Sequence, residues 1–316
     1  MSSMKYYQTN GIHIIECSPS EFSIVMCDKK KKNLTNKTYA NAGFFGNFKE
    51  GSEFFTLPVG HVICDYEASG AAIKSYCQSR GSFSGKKYRY DGTKLAGTQF
   101  TGKSLSTLIV KGNSASIADV ASVPSCDYAI SGVPIMRNGA DVTFATYVRR
   151  QGWDASTLYG TWHTFVGLKN DGKIYIMGLK TTSGNMITSA EAYKKFKALN
   201  FRDVIKLDGG GSFIMRSNGK VVASTTENRQ INTAIVINGS VETDSTYHKP
   251  TRTLKLGCIG NDVKWLQEKL KSLGYSVSVD GSFGAMTLAA VKSFQKKNGL
   301  VADGLAGNKT ISKLDV

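Results

Sequence analysis

Short hydrophobic runs separated by polar segments dominate the chain up to about residue 240, and this pattern predicts β-strands. The clearest runs are HIIEC, FSIVMC, SLSTLIV, KIYIMGL, DVIKL and TAIVING, whose lengths are typical of strands. One segment, SAEAYKKFKALNF, instead places Ala192, Phe196 and Leu199 at helical spacing behind Ser189, which is predicted to be the N-cap. Many strands with one clear helix indicate an α+β domain.

The pattern changes to helices after about residue 254. Two segments carry apolar stripes at helical spacing: Val263, Leu266, Leu270 and Leu273 in the first, and Leu288, Val291 and Phe294 in the second. Gly274 follows the first stripe and suits a C-terminal cap. VDGSFGAMT (279–287) and ADGLAGNKT (302–310) repeat the pattern Asp-Gly-x-x-Gly-x-x-Thr. Each Asp-Gly pair predicts a tight turn that leads into a helix.

A polar segment without periodicity, SVETDSTYHKPTRTLK (240–255), separates the two patterns and is typical of a linker. We therefore predict three parts: a strand-rich mixed α+β domain over residues 1–240, a linker over 241–253, and a small three-helix domain over 254–316.

Candidate chemistry centres on KLDGGGSF, where three glycines separate Asp208 from Ser212. An acid at a strand end followed by glycines lets backbone N–H groups line a concave anion site, because no Cβ atom blocks the approach. Two other polar segments join it as candidates: YANAGFFGNF, which contains Asn41, and TTENRQINTAIVI, which contains Arg229. Simpler alternatives remain, in which Asp208 caps a turn and Arg229 forms a structural ion pair with Glu227 or Glu191.

Charge and motif content narrow the classes of partner. Lys plus Arg outnumber Asp plus Glu by 40 to 24, a net charge of +16 that suits a polyanionic partner or, more simply, solubility. Nucleic acid is disfavoured because no recognition helix or RNP-like motif accompanies the charge. No apolar run is long enough to span a membrane.

The cysteine spacing, the nucleotide-binding motifs and the N-terminal segment bear on cofactors and on the cellular compartment. The six cysteines form no CxxC pair and no metal-ligand spacing, so they are predicted to be reduced thiols. Since no P-loop or dinucleotide motif is present, we predict no organic cofactor and assign no metal ligands, although a divalent ion held by acidic groups stays open. The N-terminal segment lacks a basic-then-apolar signal pattern, which predicts a protein made in the cytoplasm.

The C-terminal region, 252–316, resembles the peptidoglycan-binding domain 1 type, a small three-helix module of many wall hydrolases. The matching residues are Leu256-Gly257, Gly260, Val263, Leu266-Gln267, Leu270, Gly274-Tyr275, Asp280-Gly281, Phe283-Gly284, Thr287, Val291, Phe294-Gln295, Asp303-Gly304, Gly307 and Thr310. The resemblance implies that the module holds the protein at peptidoglycan and does no chemistry itself. A helical dimerisation or docking module is the alternative.

The region from about residue 38 to 238 resembles the phosphodiester glycosidase family. The matching residues are Asn41-Ala42-Gly43-Phe44-Phe45, Ser131-Gly132-Val133-Pro134 with Gly139, Gly167, Asp171-Gly172, Glu191, Asp208 to Ser212, and Arg229 with Asn232. Two positions depart from the family pattern. His163 stands where the family commonly has arginine, and Lys206 stands where it often has asparagine.

The family resemblance implies hydrolysis of a bond between a sugar C1 and a phosphate oxygen. It implies that Asp208 is the general base or nucleophile, that Arg229 stabilises phosphate, and that His163 binds phosphate or carries a proton. The implied substrate-binding residues are Asn41, Gly209, Gly210, Gly211 and Ser212.

Together the two resemblances predict a cell-wall hydrolase similar to a bacteriophage lysin. Its predicted target is either a glycosyl-phosphate bond in a wall polymer or, less directly, the peptidoglycan glycan itself. Its expected partners are peptidoglycan and, given the positive charge, teichoic acid in a Gram-positive wall, which it would reach through a holin. The alternative is a non-catalytic wall-binding or virion adhesion protein that keeps the fold.

Overall fold

The computed structural model describes residues 4–27, 34, 37–50, 53–66, 81–94, 99–142, 150–181, 186–225, 231–239, 242–243 and 249–315. The chain divides into two compact units. The first contains Met1–Tyr6 and His13–Glu242, and the second contains Tyr7–Ile12 and Thr243–Val316. The predicted boundaries of the linker, 241–253, stay a prediction, and a two-residue strand, Glu242–Thr243, lies within it.

The described residues form 21 strands and four α-helices. The strands are β1 Lys5–Thr9, β2 Ile12–Cys17, β3 Phe22–Met26, β4 Thr38–Asn41, β5 Phe45–Glu50, β6 Glu53–Pro58, β7 Val62–Tyr66, β8 Ser82–Ser84, β9 Lys87–Tyr90, β10 Leu105–Lys111, β11 Ser114–Val120, β12 Tyr128–Ser131, β13 Val133–Arg137, β14 Ala140–Asp141, β15 Trp162–Leu168, β16 Ile174–Lys180, β17 Asp203–Gly209, β18 Ile214–Ser217, β19 Lys220–Ser224, β20 Thr233–Ile237 and β21 Glu242–Thr243. The helices are α1 Ser189–Lys197, α2 Asn261–Ser272, α3 Ala285–Lys297 and α4 Asn308–Leu314. Short 3-10 helices cover Pro19–Glu21, Ala155–Leu158 and Gly210–Ser212.

Two large sheets build the strand-rich unit. One has the order β14-β13-β17-β15-β16-β2-β1-β21, and the other has the order β11-β10-β12-β7-β3-β20-β4-β18-β19 with β9 and β8 branching from β7. A single hydrophobic cluster contains side chains of both sheets, such as Ile176 and Leu207 from the first and Ile24 and Ile235 from the second. The sheets therefore pack against each other through this core, and the predicted α+β class is confirmed.

The helix α1 covers the opposite face of the first sheet. Strand residues alternate between faces, so Phe165 of β15 points away from the core shared with the second sheet. Its ring meets that of Phe196 edge-on, with 4.9 Å between the centroids. The predicted N-cap was wrong by one residue: Thr188 caps the helix, and its hydroxyl oxygen accepts a hydrogen bond from the Glu191 backbone N–H. Glu191 in turn accepts one from the Thr188 backbone N–H, which makes Glu191 a capping residue.

The C-terminal unit uses two buried glutamines to hold the repeated Asp-Gly loops. The side-chain amide of Gln267 donates to Asp280 Oδ1 at 2.8 Å, and its oxygen accepts from the Gly281 N–H at 2.8 Å. Gln295 repeats the arrangement on the second loop, where it contacts Asp303 Oδ1 at 2.9 Å and the Gly304 N–H at 2.9 Å. Each loop then leads into the next helix, so the repeat encodes a turn held by the preceding helix.

Apolar stripes close the small core of this unit as predicted. Val263, Leu266, Leu270, Val291 and Phe294 are buried together. Leu273 is 52% exposed because it lies at the C-cap of α2, one residue beyond the last helical position. None of the helices in the described ranges is long and apolar enough to cross a membrane.

Replacing Gln295 with alanine is expected to release the 302–310 loop. The change leaves the buried Gly304 N–H without its hydrogen-bond acceptor, which costs about 1–3 kcal/mol, and it also removes the donor to the exposed Asp303 carboxylate. Hydrogen exchange of the Gly304 amide in the full chain should accelerate at least tenfold. Lys296→Ala, the exposed next residue of the same helix, is the control and should leave that exchange rate unchanged. Equal exchange in both variants would contradict the role given to Gln295.

Candidate active site

A cavity of about 560 Å³ opens where β17 ends and the 3-10 helix Gly210–Ser212 begins. Its wall contains the predicted acid and all three glycines, together with an aromatic and hydroxyl-bearing loop. The lining residues are Phe44, Ser156, Thr157, Tyr159, Gly160, Thr161, Lys206, Asp208, Gly209, Gly210 and Gly211. Asp208 is the one carboxylate among these described lining residues. The structure therefore places the predicted acid and the glycine run at the same cavity.

Asn41 joins the two large sheets directly behind Asp208. Its side chain is buried, and its Nδ2 donates to the Asp208 carbonyl at 2.9 Å. Its Oδ1 accepts from the Thr164 hydroxyl at 2.7 Å and from the Ile214 N–H at 3.2 Å. The backbone of Asp208 also donates to the Ala42 carbonyl at 3.0 Å. Asn41 thus fixes the position of Asp208 through protein contacts, and its predicted contact with substrate stays a prediction.

The glycine run is needed because two backbones pass very close to each other. A Cβ atom on Gly209 would lie 2.5 Å from the Trp162 carbonyl oxygen, and one on Gly160 would lie 2.8 Å from the Gly210 Cα. Gly160 and Gly210 also have φ of +119° and +56°, a region that side-chain-bearing residues rarely adopt. The loop before β15 can therefore pack directly against the glycine run and form one side of the cavity.

Asp208 and Ser212 differ in their access to the cavity. The Asp208 side chain is partly exposed, and its Oδ1 accepts a hydrogen bond from the Gly209 N–H at 2.8 Å. This amide is thus used within the loop. Ser212 is fully buried behind the lining residues, and its Oγ has no hydrogen-bond partner in the described part of the chain. The predicted substrate contact of Ser212 stays a prediction.

His163 lies at the start of β15, opposite Gly209 in the strand pairing. Its ring is fully buried and lies outside the residues that line the cavity. Burial, together with the nearby charge of Lys206, lowers the pKa of His163 to about 3, and the Gly160 backbone offsets this only in part. Neither ring nitrogen makes a hydrogen bond of standard geometry within the described residues. The ring is therefore neutral near pH 7, and it does not replace the fixed positive charge of an arginine.

Lys206 is a lining residue that the motif analysis did not assign to the site. It lies between Ile205 and Leu207 in a buried strand, and its whole side chain is buried. A single lysine within an apolar run was the available sequence signal, because lysine is almost never fully buried unless it is paired. Arg229 of the predicted site, together with its proposed partner Glu227, lies outside the described residues.

The model of the phosphodiester glycosidase family matches residues 40–238, more than half of the chain. The chain belongs to the phosphodiester glycosidase family. A second model, described as "Putative peptidoglycan binding domain", matches residues 259–314.

Individual relatives resemble parts of this phosphodiester glycosidase chain. A spore cortex-lytic enzyme of Oceanobacillus iheyensis is 41% identical over 76 residues, which cover 23% of this chain and 28% of that protein. The structure of a Burkholderia AP3 phage endolysin is 46% identical over 21% of this chain and 25% of its own, with a TM-score of 0.20. The zebrafish N-acetylglucosamine-1-phosphodiester alpha-N-acetylglucosaminidase catalytic domain, auto-inhibited by its pro-peptide, is 15% identical. That match covers 76% of this chain and 83% of the zebrafish chain, with a TM-score of 0.49.

The chain matches only about a quarter of the length of such curated relatives. The wall-lytic relatives thus share a region about the size of the C-terminal module with this phosphodiester glycosidase. That module carries a second cavity of about 690 Å³ beside the loop held by Gln295. Val301, which is 80% exposed, and Leu305 line it. In the described part of the chain, no three His, Cys, Asp or Glu side chains converge in a way that could hold a metal ion.

Gly160→Ala should damage the active site of the phosphodiester glycosidase domain more than a comparable glycine change elsewhere. The new Cβ would collide with the Gly210 backbone, so both the melting temperature and hydrolysis should fall. Gly172→Ala is the matched control, because Gly172 also has positive φ (+76°) but a Cβ there meets nothing within 4 Å. The control should cost only about 1 kcal/mol and keep full activity. Equal loss of activity in both variants would contradict the close-packing role of Gly160.

His163 should make the folded state less stable as the solution becomes acidic. Its pKa is lowered to about 3 in the fold, while the unfolded chain takes up the proton near pH 6.5. The stabilising contribution is therefore complete above pH 6.5 and is lost as the pH falls toward 3. Between pH 7 and pH 5 this amounts to about 2 kcal/mol. Urea unfolding of the wild type and His163→Leu measures it: the variant should lose that much less stability over this interval. Identical pH dependence would mean that His163 is not held neutral by the fold.

Proposed function

We propose that the chain is a cell-wall hydrolase that cleaves a glycosidic bond, with a sugar-1-phosphodiester as the favoured substrate. The observation that carries this is the partly exposed carboxylate of Asp208 at the mouth of a glycine-walled cavity. It lies in a domain of the phosphodiester glycosidase family, on a chain that also matches a wall-binding module. Family membership supports the reaction class, and the module supports the location of the substrate.

Asp208 supplies the reacting carboxylate in this proposal. In one route its oxygen attacks the sugar C1 as the bond between C1 and the phosphate oxygen breaks, and water then hydrolyses the resulting sugar ester to free Asp208 and the reducing sugar. In the other route Asp208 removes a proton from the water that attacks C1 as the same bond breaks, and it later returns this proton to solvent. The electron pair of that bond leaves with the phosphate, which becomes a phosphomonoester. Glycosidases usually need a second carboxyl group as an acid to protonate the leaving oxygen. A phosphate is already stable as an anion, which suits a cavity with one carboxylate among its described lining residues.

The rest of the wall provides contacts for a sugar. Tyr159, which is 59% exposed, and Phe44 both line the cavity, so their aromatic rings can pack against a sugar ring. Ser156 and Thr157 also line the cavity; the Thr157 hydroxyl donates to the Asp154 carbonyl at 2.6 Å, so its oxygen can accept a hydrogen bond from a sugar hydroxyl. Asn41 would act by positioning Asp208, because its amide contacts the backbone of that residue.

The biological setting is part of the same proposal. The module would hold the enzyme at peptidoglycan, and the net charge of +16 favours a wall that carries anionic polymers such as teichoic acid. We place the enzyme with the bacteriophage lysins, which act on the wall after release through the cytoplasmic membrane.

Asp208→Asn should abolish hydrolysis and keep wall binding. The asparagine Oδ1 can still accept from the Gly209 amide, so the loop should hold its shape, but the carboxylate is lost. Purified wild type and variant are incubated with teichoic-acid-bearing walls and with acid-stripped walls. Reducing sugar, phosphomonoester and bound protein are then measured. We expect the wild type to release both products from intact walls, and the variant at least a thousandfold less of each.

Three outcomes separate this proposal from its alternatives. Release of reducing sugar from stripped walls alone would move the substrate to the peptidoglycan glycan. Retained binding without any release would identify a non-catalytic wall-binding or virion adhesion protein. Undiminished release by Asp208→Asn would exclude Asp208 as the reacting group.

A further inference from the structure

The side-chain ammonium of Lys206 has more N–H donors than it has hydrogen-bond acceptors in the described part of the protein. Its Nζ donates to the Leu207 carbonyl at 3.0 Å and lies 4.9 Å from the centroid of the Phe44 ring. An ammonium group carries three donors, and no other hydrogen bond or ion pair to Lys206 is found among the described residues. Lys206 is a lining residue of the cavity although its side chain is fully buried, so its remaining donors lie at the cavity wall without a protein partner among the described residues.

Burial and the nearby Asp208 carboxylate act in opposite directions on the charge of the Lys206 ammonium. Burial lowers the pKa of Lys206 to about 8, and the negative charge of Asp208 opposes that change. The group is therefore mostly protonated at neutral pH. His163 is the other described titratable group that interacts with it, and its own pKa is lowered in part by Lys206. One cation and one anion, Lys206 and Asp208, thus face the same cavity.

A buried ammonium of this kind is expensive for the fold. Moving a charge out of water costs several kcal/mol unless a partner of opposite charge compensates it. Asp208 is two residues away on the same strand, and it compensates the charge only in part. A methionine of similar size would fill the space without that cost. The lysine is therefore best explained by a negatively charged ligand that completes its contacts.

We infer that Lys206 binds the phosphate group of the substrate and is the cation that stabilises the leaving phosphate. This rests on the proposed function, because it assigns the leaving group of that reaction. As the C1–O bond breaks, negative charge grows on the phosphate oxygen, and the Lys206 N–H groups are placed to donate hydrogen bonds to it. A positive charge on a buried side chain stabilises such an anion more than the same charge in bulk water does. Lys206 would then touch the reacting group and count as a catalytic residue.

The test measures the binding of inorganic phosphate to the full chain by calorimetry at low ionic strength and pH 7. Lys206→Met should weaken phosphate affinity at least tenfold and leave the melting temperature equal to or above that of the wild type, because the costly charge is gone. Lys180→Met removes one positive charge from an exposed position on β16, which is separated from β17 by β15 in the same sheet. It is the matched control and should change the affinity less than twofold.

Additional measurements identify the chemistry of the ligand and detect a folding defect in the variants. Acetate at the same concentration should not displace phosphate; displacement by acetate would overturn the assignment to a phosphate group. Lys206→Gln, which keeps a polar head without the charge, should reproduce the loss of affinity. Unchanged phosphate affinity in both Lys206 variants would overturn the inference, and so would a loss of affinity that comes with a lower melting temperature in both.

The outcome is distinguishable from failure of the proposed function, because phosphate binding is read without any hydrolysis. A protein that binds phosphate through Lys206 but releases nothing from walls refutes the hydrolase proposal alone. A protein that hydrolyses walls and keeps its phosphate affinity without Lys206 refutes this inference alone.

Discussion

The buried amide of Asn41 connects the strands around the active site. One nitrogen and one oxygen join β4 to the Asp208 carbonyl, the Thr164 hydroxyl and the Ile214 N–H. Such a group is costly to bury unless its hydrogen bonds are made, and here its oxygen accepts two of them. Because these contacts cross from one sheet to the other, the backbone of Asp208 is held by the core between the two sheets. The position of Asp208 is thus fixed by buried contacts directly behind the cavity wall.

Close backbone packing completes the site on the other side. The glycine run suggested a surface of free amides for an anion, and the structure adds a different reason for it. The Gly209 amide is occupied by Asp208. The absence of a Cβ on Gly209 lets the Trp162 backbone approach, and the absence of one on Gly160 lets its loop contact the Gly210 backbone. Positive charge at the cavity then comes from the Lys206 side chain among the described lining residues. Glycine thus shapes the cavity, and lysine supplies the charge.

Local sequence patterns predicted the parts of this molecule that local physics controls. Apolar runs marked the strands, and the Asp-Gly repeat marked loops that Gln267 and Gln295 hold. The predicted N-cap was Ser189 and the observed one is Thr188. Both residue types can cap a helix, and only the hydrogen bonds between Thr188 and Glu191 decide between them. The burial of His163 depends on which strands become neighbours, so no window of sequence could show it, whereas the apolar neighbours of Lys206 were a local signal of its burial. The placement of Asp208 next to Asn41 was accessible through family resemblance alone.

The two units divide the proposed work between recognition and chemistry. The helical unit supplies wall binding through a fold stabilised by its own core, and the strand-rich unit supplies one carboxylate and one ammonium at a single cavity. The most direct test is a crystal structure of Asp208→Asn with a sugar-1-phosphodiester fragment of the wall. We expect the sugar C1 within about 3.5 Å of the substituted side chain at position 208, as a near-attack geometry requires. We also expect the phosphate to accept a hydrogen bond from the Lys206 Nζ. A fragment bound with its phosphodiester bond away from residues 206–208 would contradict it.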